Sequence, residues 1–254
     1  MLSVPEGLRV LVTAGASGIG LAVARAFAEA KAQIFVCDVD QAALQDLPPD
    51  WGQAFCDVSN EAQVETLYGA VEARLGGLDV LVACAGIAGP TGALESLTLE
   101  DWQRCLAVNL DGTFLSCRGA IPLLRRAGGG LIVTFSSTSG FFGYPERTPY
   151  ATAKWGIIGL TKSLAMELGP AGIRVNALCP GPVEGPRMDR VIAAEAKATG
   201  KSEAAVRAAY TSSNSLRRFV TADEMAGMIL YLTTPTGAAV SGQALPVDGH
   251  TEHP

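Results

Sequence analysis

The stretch over residues 8–20, Leu-Arg-Val-Leu-Val-Thr-Ala-Gly-Ala-Ser-Gly-Ile-Gly, decides the fold class of this chain. Its first six residues form a short apolar run rich in β-branched side chains, which indicates a buried strand. Three glycines follow, and from Ile19 to Ala30 the apolar side chains recur at helical spacing. The stretch therefore predicts a strand, a tight turn and a helix, the first unit of an α/β sheet.

The same alternation continues along the chain. Further strands are predicted at Gln33 to Asp38, Gln53 to Asp57, Leu78 to Ala83, Gly130 to Ser136, Ile173 to Leu178 and Gln243 to Val247. Further helices are predicted at Glu61 to Leu75, Leu99 to Arg126, Tyr150 to Leu168 and Ala222 to Leu232. We expect a doubly wound, Rossmann-like parallel sheet of seven strands in a single domain over 1–254. Pro180 to Pro186 and Thr199 to Ser215 are expected to be loop or lid material, with a substrate loop at about 183–215.

Composition limits the possible functions. The chain has 254 residues, of which 48% are hydrophobic and 17% charged, so it can bury a full core. Its formal net charge is -6 and no Lys/Arg cluster exceeds two residues, which argues against a nucleic-acid partner. The N-terminus does not resemble a signal peptide, and no apolar run reaches the length of a membrane span, about 18 residues. A cytoplasmic protein without a membrane partner is expected.

Histidine and cysteine exclude further classes of enzyme. The only histidines, His250 and His253, lie in the last five residues, so a Ser/His/Asp triad or a catalytic zinc would lack its usual internal imidazoles. We expect a frayed tail there, the alternative being that these histidines approach a neighbouring active site. Without CxxC spacing, the cysteines indicate reduced core thiols rather than zinc ligands or disulfides, and no metal is expected: Cys37, Cys56, Cys84, Cys105, Cys117 and Cys179.

The first turn could hold a phosphate. Glycines let the backbone approach a pyrophosphate, and the free N–H groups that open the helix attract its charge. The simpler alternative is a tight turn without a ligand. Asp38 ends the second predicted strand eighteen residues after Gly20, where a carboxylate can accept both ribose hydroxyls of NAD and repel the extra phosphate of NADP. This arrangement predicts NAD. Asp57, which ends the third strand, could bind the adenine amine or serve as a helix N-terminal carboxylate.

Tyr150 and Lys154 open a predicted helix at a spacing of four, which places the phenol and the ammonium group on one face. For Tyr150 to act as a base near neutrality, its pKa must fall from about 10 by roughly three units. A neighbouring Lys⁺ and the positive nicotinamide of NAD⁺ both favour the phenolate. By itself, such a pair is often only a surface contact on a helix.

Several motifs in order resemble those of the short-chain dehydrogenase/reductase family over nearly the whole chain. They are Thr13-Ala-Gly-Ala-Ser-Gly18-Ile-Gly20, Asp57-Val58, Ala85-Gly86, Asn109, Ser136-Ser137, Tyr150-x-x-x-Lys154, Pro180-Gly181 and Val247-Asp248-Gly249. The resemblance implies an enzyme that interconverts an alcohol and a carbonyl with NAD.

The resemblance also implies roles for single residues. Tyr150 would be the general acid/base, and Ser137, rather than Ser136, would orient the substrate oxygen. Lys154 would hold the nicotinamide ribose and lower the Tyr150 pKa, and Asn109 would position a water that links Lys154 to solvent. Apart from the family, Ser137 could merely end a strand and Asn109 could stabilise a helix bend. The cofactor-binding set implied is Gly15, Ser17, Gly18, Ile19, Gly20, Asp38, Asp57, Val58, Ala85, Gly86, Tyr150, Lys154, Pro180, Gly181 and Val183.

The sequence departs from the family at three places. Ala14 replaces the first fingerprint glycine, and adjacent Gly15 is expected to relieve the turn. Asn-Asn-Ala-Gly becomes residues 83–86, Ala-Cys-Ala-Gly, and Gly185 replaces a threonine that follows Pro-Gly. These changes put the local cofactor geometry in doubt but not the reaction class.

The family sets its substrate by the segment between Ser137 and Tyr150 and by the loop after Pro180. Phe141, Phe142 and Tyr144 could form an apolar wall there. The charged residues could recognise hydroxyls or a carboxylate, or could lie on solvated loops. We favour a small polar hydroxy compound such as a sugar or cyclic polyol; a hydroxy acid or an apolar ketone is the alternative. The candidate substrate residues are Ser139, Tyr144, Glu146, Arg147, Glu184 and Arg187.

Two further expectations concern assembly and class. The helix from Tyr150 to Leu168 carries more apolar surface than one stripe requires, and similar proteins assemble through it, so a homodimer or homotetramer is expected. A nonenzymatic NAD-sensing or scaffold protein could keep the sheet and turn but would not need the tetrad. A methyltransferase would leave Tyr150 and Lys154 unexplained.

Overall fold

One parallel sheet of seven strands organises the protein, and the computed structural model describes residues 3–251 of it. The strands β1 to β7 span Arg9–Thr13, Gln33–Asp38, Gly52–Phe55, Val80–Ala83, Gly130–Phe135, Ile173–Pro180 and Ala244–Val247. Their order across the sheet is β3-β2-β1-β4-β5-β6-β7, and every hydrogen-bonded pair is parallel. The predicted doubly wound, Rossmann-like sheet is confirmed.

Helices cover both faces of this sheet. Helices α1 to α9 span Gly18–Glu29, Gln41–Gln45, Glu61–Leu75, Leu99–Leu106, Gly112–Arg126, Thr148–Leu168, Pro186–Thr199, Glu203–Ser212 and Ala222–Thr233. Along β1, Val10 and Val12 pack with α1 and α9, and Leu11 packs on the other face with α3 and α5. Because neighbouring strand residues point to opposite faces, a continuous apolar run fills both core layers.

The order of the strands creates an opening at one edge of the sheet. From β1 the chain moves to β2 and β3, and it then crosses back to place β4 on the other side of β1. The connections that leave the carboxyl ends of β1 and β4 therefore diverge, and ligands bind in such a crevice in doubly wound sheets.

Two regions differ from the sequence predictions. The single helix predicted from Leu99 to Arg126 is interrupted by a π-helical segment, Ala107–Asp111, which separates α4 from α5. The prediction of loop material at Thr199 to Ser215 is wrong for most of that range, because α8 lies within it. The substrate segment at about 183–215 contains α7 as well. Ile192, Ala196 and Val206 are buried between these two helices, which explains why they fold.

The C-terminal end is held in place up to the last described residue. His250 donates its backbone N–H to Asp248 Oδ1 at 2.9 Å, and its Nδ1 lies 2.7 Å from the Ser215 hydroxyl. The prediction of a frayed tail is therefore wrong for His250; His253 lies outside the described residues. Over residues 3–251, no helix is both long and apolar enough to cross a membrane. The cysteines are unpaired, and all except partly buried Cys84 are buried.

Candidate active site

A cleft of about 1290 Å³ lies over the carboxyl ends of β1, β4, β5 and β6. This volume exceeds that of a typical site for one small ligand, about 300–1,000 Å³, so a cofactor and a substrate can share it. The cleft is lined by most of the residues that the sequence analysis selected, from the glycine-rich turn at one end to the substrate segment at the other.

The glycine-rich turn between β1 and α1 has little room for side chains. A Cβ atom on residue 20 would lie 2.2 Å from the Ala14 carbonyl oxygen, so only glycine fits there. Gly18 has a φ of 53°, the left-handed region that favours glycine. Ser17 precedes α1 and makes no side-chain cap, so the N–H groups that open this helix can point to an anion in the cleft. Ile19 lines the cleft together with Ser17 and Gly18.

Ala14 is itself in the left-handed conformation, with a φ of 51°. The expectation that Gly15 relieves the turn is wrong, because Gly15 has no positive φ. Position 15 has no room for a side chain instead, since a Cβ there would lie 2.9 Å from Val36 Cγ1. The departure from the family at position 14 therefore leaves an alanine in a strained conformation.

Asp38 lies at the end of β2 beside this turn and is only 8% exposed. Its carboxylate accepts backbone N–H bonds from Ala16 at 3.1 Å, Val39 at 2.8 Å and Asp40 at 3.1 Å. These bonds fix the carboxylate at the rim of the cleft. A cofactor whose ribose carries free hydroxyls suits an acceptor here, whereas a ribose phosphate would meet its negative charge.

Asp57 and Val58 line the cleft after β3. Asp57 Oδ1 accepts from the Ser59 N–H at 2.9 Å and the Ser59 hydroxyl at 2.7 Å. The N-cap of α3 is Asn60, which accepts from Gln63, so Asp57 does not cap that helix. The structure thus leaves Asp57 at the wall of the cleft, in a tight turn just before α3.

Ala85 and Gly86 form the wall after β4. The Ala85 N–H donates to the Thr13 hydroxyl at 3.0 Å, which ties this wall to β1. A Cβ on residue 86 would lie 2.6 Å from Asn109 Oδ1 and 3.6 Å from Lys154 Nζ, so glycine is needed for these side chains to approach. Neighbouring Cys84 also lines the cleft, and its burial raises the thiol pKa to about 11.

Tyr150 and Lys154 lie one turn apart on α6 and both face the cleft. Lys154 is 3% exposed, its Nζ is 5.4 Å from the centroid of the Tyr150 ring, and it donates to the Phe135 carbonyl at 2.8 Å. The predicted pairing on one helix face is present. The bond to Phe135 orients the ammonium group toward the end of β5.

Partial burial raises the pKa of Tyr150, but nearby positive charge more than offsets this. The charges of Lys154 and Arg187, the nearby Ser137 hydroxyl and the charge of Arg147 together hold the pKa of Tyr150 below its usual value of 10. Burial also lowers the pKa of Lys154, partly countered by Tyr150. The site therefore favours the phenolate, as proton abstraction requires.

Two serines that end β5 have different surroundings. The Ser136 hydroxyl donates to the Lys154 carbonyl at 2.7 Å and is committed to α6. The Ser137 hydroxyl accepts from the Ser139 N–H at 3.2 Å and lines the cleft near Tyr150. Of the two, Ser137 is placed to meet a substrate oxygen.

Asn109 lies in the π-helical segment and is fully buried. Its Nδ2 donates to the Cys105 carbonyl at 2.9 Å and the Ile87 carbonyl at 3.1 Å, so it stabilises the interruption between α4 and α5. Its Oδ1 has no hydrogen-bond partner among the described residues and points to Gly86 and Lys154. A buried acceptor without a protein partner is a suitable site for a water. The geometry of Asn109 is therefore compatible with both interpretations from the sequence, the stabilised helix bend and the positioned water.

Pro180, Gly181 and Val183 carry the chain from β6 along the cleft. A Cβ on residue 181 would lie 2.7 Å from Asp248 Cβ, which explains the glycine. Val183 faces Val220 in a parallel bridge whose hydrogen bonds use the Pro182 carbonyl and the Glu184 N–H. The bridge leaves the N–H and C=O of Val183 for another partner.

The predicted substrate residues are brought together. Ser139, Tyr144, Glu146, Arg147, Glu184 and Arg187 all line the cleft. Arg147 is buried, whereas Glu184 and Arg187 are exposed. Phe141 and Phe142 do not line the cleft, so the predicted apolar wall is reduced to Tyr144; these two rings contact each other edge to face instead.

The sequence analysis missed two residues of this wall. Tyr210 on α8 donates to Glu195 Oε2 on α7 at 2.7 Å, and its hydroxyl lies 2.5 Å from that of Tyr144. Both missed residues line the cleft. The spacing of four between Met188, Ile192 and Ala196, repeated by Val206 and Tyr210, is a helical signal that could have revealed them.

Comparison with known proteins decides the family. A family model described as enoyl-(acyl carrier protein) reductase matches residues 13–250. The chain belongs to the short-chain dehydrogenase/reductase family. A probable galactose dehydrogenase of Rhizobium meliloti (strain 1021) is 38% identical over 248 residues, which are 94% of this chain and 93% of that protein.

Two solved structures agree with this assignment. NAD⁺-bound xylitol dehydrogenase matches with a TM-score of 0.91 and 28% identity, covering 95% of this chain and 98% of that one. An actinorhodin polyketide ketoreductase variant with NADPH matches with a TM-score of 0.90 and 34% identity, covering 96% of each. This chain is thus a nicotinamide-nucleotide-dependent enzyme that acts as an alcohol dehydrogenase or carbonyl reductase.

Proposed function

We propose that the protein is an NAD-dependent oxidoreductase of a small polar hydroxy compound, with Tyr150 as general acid/base. The observation that carries the proposal is the placement of Tyr150 among three cations, which hold its pKa below the usual value, beside Ser137 in a cleft large enough for cofactor and substrate. A nonenzymatic sensor would have no need of a phenol tuned in this way.

In the proposed reaction, bound NAD⁺ supplies the hydride acceptor. Ser137 orients the substrate hydroxyl, and Tyr150 removes its proton while the hydride leaves the carbinol carbon. Lys154 keeps the phenolate stable and holds the nicotinamide ribose. Asn109 Oδ1 holds a water that passes the proton from Lys154 toward solvent. Carbonyl reduction uses the same groups in the reverse order.

We assign the cofactor-binding role to the turn and walls described above, from Gly15 to Val183, and the preference for NAD to Asp38. The three backbone N–H bonds to the Asp38 carboxylate support this assignment, because they hold its oxygens in place at the rim of the cleft. Position 39 is a valine and position 17 a serine, so neither supplies a cation for a ribose phosphate.

The proposed substrate class rests on the polar lining of the cleft near segment 183–215. This lining consists of the six candidate substrate residues named in the sequence analysis, together with Glu195 and Tyr210. Polyhydroxy substrates appear in the names of two of the similar proteins, a galactose and a xylitol dehydrogenase. A small polar hydroxy compound, a class that includes sugars, polyols and hydroxy acids, therefore fits the lining better than an apolar ketone.

Absorbance at 340 nm tests the proposed activity. Purified protein is incubated with NAD⁺ and a panel of sugars, polyols, hydroxy acids and steroids. NADH formation with a polar member of the panel is expected, and activity with steroids alone would contradict the proposed substrate class. No turnover of any alcohol or carbonyl, with NAD or NADP, would contradict the proposed activity.

The preference for NAD is tested through Asp38. Asp38→Ala should erode the ratio of kcat/KM for NAD to that for NADP, because it removes both the ribose acceptor and the charge that opposes a phosphate. Fluorescence titration with NADH and NADPH should show the same trend in binding. A wild-type enzyme that already prefers NADP would overturn the assignment.

We further propose a homodimer or homotetramer that buries α6, in a single-domain cytoplasmic protein. Trp155 and Met166 on this helix are 53% and 82% exposed, more apolar surface than a monomer usually leaves uncovered on one helix. The unpaired thiols suit a reducing compartment. Light scattering should give a mass two or four times that of one chain, and a monomer would refute the assembly.

A further inference from the structure

Arg147 is a buried cation in the wall of the cleft. The residue is only 5% exposed and precedes α6. Its guanidinium carbon lies 5.1 Å from the centroid of the Tyr150 ring and 5.3 Å from that of Tyr144. Its Nη2 donates to the Ala88 carbonyl at 2.8 Å, which anchors the group between the end of β4 and α6. The charge is therefore fixed close to the reacting phenol.

The protein does not neutralise this charge. Within residues 3–251, Arg147 forms no ion pair with a carboxylate, and its buried Nε has no hydrogen-bond partner. Arg9, by contrast, pairs with Asp79, and partly buried Arg174 gives N–H bonds to three carbonyl groups. A buried charge without a counterion is costly unless a partner arrives.

Stacking on the two tyrosines compensates only part of this cost. Cation–π contacts stabilise a charge by less than it costs to take that charge out of water. A cation–π contact satisfies none of the hydrogen bonds that the guanidinium N–H groups can donate, so these groups still need acceptors. Arg147 lines the cleft with the small part of its surface that stays exposed, so an acceptor that the substrate brings can meet the guanidinium from that side.

A second cation faces the same space. Arg187 on α7 donates to the Gly86 carbonyl at 3.0 Å and therefore reaches across the cleft from the substrate segment. Of the carboxylates that line this end, that of Glu195 is engaged by Tyr210, while Glu146 and Glu184 form no ion pair within the described residues. Three cations, Lys154, Arg147 and Arg187, thus lie near Tyr150.

We propose that Arg147 binds a carboxylate of the substrate, so that the hydroxy compound oxidised here is a hydroxy acid and its product an oxo acid. This inference rests on the proposed function and narrows its substrate class. With the hydroxyl oxygen at Tyr150 and Ser137, a carboxylate a few bonds from the carbinol carbon reaches the guanidinium fork, whose planar N–H pairs match it. The hydroxyl proton goes to Tyr150 and the carbinol hydride to NAD⁺, which leaves a C=O group.

Binding measurements test Arg147 without any need for turnover. NADH-loaded enzyme is titrated with butyrate and with butyramide, which share their shape and differ in charge, and NADH fluorescence reports binding. The wild type should bind butyrate about tenfold more tightly than butyramide, since hydrogen bonds to charged groups contribute about 1.5–3 kcal/mol. In Arg147→Gln the preference should fall to within about twofold, and Arg147→Lys should retain part of it.

Arg125→Gln is the matched control, because Arg125 is exposed on α5, far along the chain from the site, and forms no ion pair within the described residues. It should keep the wild-type preference. Melting temperature and NADH affinity check that each variant is folded. The proposal is overturned if the wild type fails to prefer butyrate, if Arg147→Gln keeps the preference, or if inorganic phosphate binds more tightly than butyrate.

Turnover gives an independent comparison. The ratio of kcat/KM for 3-hydroxybutyrate to that for 1,3-butanediol should exceed one in the wild type and fall about tenfold or more in Arg147→Gln. A ratio cancels any effect of Arg147 on the Tyr150 pKa, because both substrates use the same phenol. If these two alcohols and every other member of the panel stay unoxidised, the proposed function fails, while the butyrate titration still tests the carboxylate site independently.

Discussion

At the scale of single residues, the site depends on charges that act on one phenol. Burial alone would raise the Tyr150 pKa and weaken it as a base, and Lys154, Arg187 and Arg147 reverse this effect. Only Lys154 could be foreseen from its spacing along the helix. Arg147 is a local neighbour, three residues before Tyr150 at the N-cap of α6, but its side chain is directed by a bond to the distant Ala88 carbonyl. Arg187 reaches the site from α7 through tertiary contacts, which no local sequence pattern encodes.

The pH profile should report the charge of Arg187. Alcohol oxidation needs the phenolate, so its rate rises as pH rises through the Tyr150 pKa; carbonyl reduction needs the phenol and falls over the same range. Arg187→Gln removes a charge that lowers this pKa, so the rising limb should move to higher pH. Plots of kcat against pH check this.

Lys197→Gln is the control for that profile, because Lys197 is exposed on the same helix, does not line the cleft and is not among the charges that shift the Tyr150 pKa. The rising limb of kcat against pH for this control variant should coincide with that of the wild type. A rising limb that stays at the same pH or moves to lower pH in Arg187→Gln would contradict the electrostatic account of the site.

Ala14 offers a test of backbone strain. Replacing it with glycine should relieve a left-handed conformation that costs about 1–2 kcal/mol, partly offset by the greater freedom of glycine in the unfolded chain. Ala14→Gly should therefore raise the free energy of unfolding by about 0.5–1 kcal/mol, measured by urea denaturation. Ala22→Gly in α1 should lower it by a similar amount. A destabilised Ala14→Gly would show that the turn carries no strain.

At the scale of elements, the sequence predicted those whose apolar pattern is continuous. All seven strands and five long helical segments lie where the periodicity placed them, with ends that differ by one to a few residues. For this region the sequence offered a helix bend at Asn109 only as an alternative to its catalytic role. It did not predict the π-helical segment, because one of the stabilising Asn109 bonds is to Ile87, in another part of the chain. Helices α7 and α8 were missed because they bury only a few residues, mostly against each other.

An ion pair joins the starts of the neighbouring strands β1 and β4, at the edge of the sheet opposite the cleft. Asp79 accepts from Arg9 Nε at 2.8 Å, from Nη2 at 2.6 Å and from the Arg9 backbone N–H at 2.9 Å. Burial raises the pKa of Asp79, but these bonds outweigh it and leave the pKa below 3.8. Asp79→Asn should lower the free energy of unfolding by about 1–2 kcal/mol at pH 7.

The difference in the free energy of unfolding between the wild type and Asp79→Asn should become smaller at low pH. Because the folded pKa is depressed, the stability from ionised Asp79 is fully present above its unfolded pKa, about 3.9, and is lost as pH falls through the folded value. The gap between wild type and Asp79→Asn in denaturant titrations should therefore shrink below about pH 4. Glu6→Gln, which breaks an exposed pair with Lys31, should cost little at any pH. An equal cost for both variants would contradict the special role of Asp79.

At the scale of the whole molecule, the strand order explains why distant residues meet. The turn after β1, the walls after β3 and β4, the serines after β5 and the segment after β6 all open on one edge of the sheet. That convergence could be predicted from the motif order. The shape of the substrate end could not, because it depends on how α7 and α8 fold over the cleft and bring Glu195 and Tyr210 to Tyr144.

The most direct test of the account compares Tyr150→Phe with the wild type in the presence of NAD⁺ and the best substrate of the panel, by absorbance at 340 nm. Loss of the hydroxyl that takes the substrate proton should reduce kcat by at least about 100-fold. The dissociation constant for NADH should stay within about threefold, and Tyr231→Phe, on exposed α9 surface, should turn over like the wild type. Wild-type turnover in Tyr150→Phe would contradict the central claim that this phenol carries the proton.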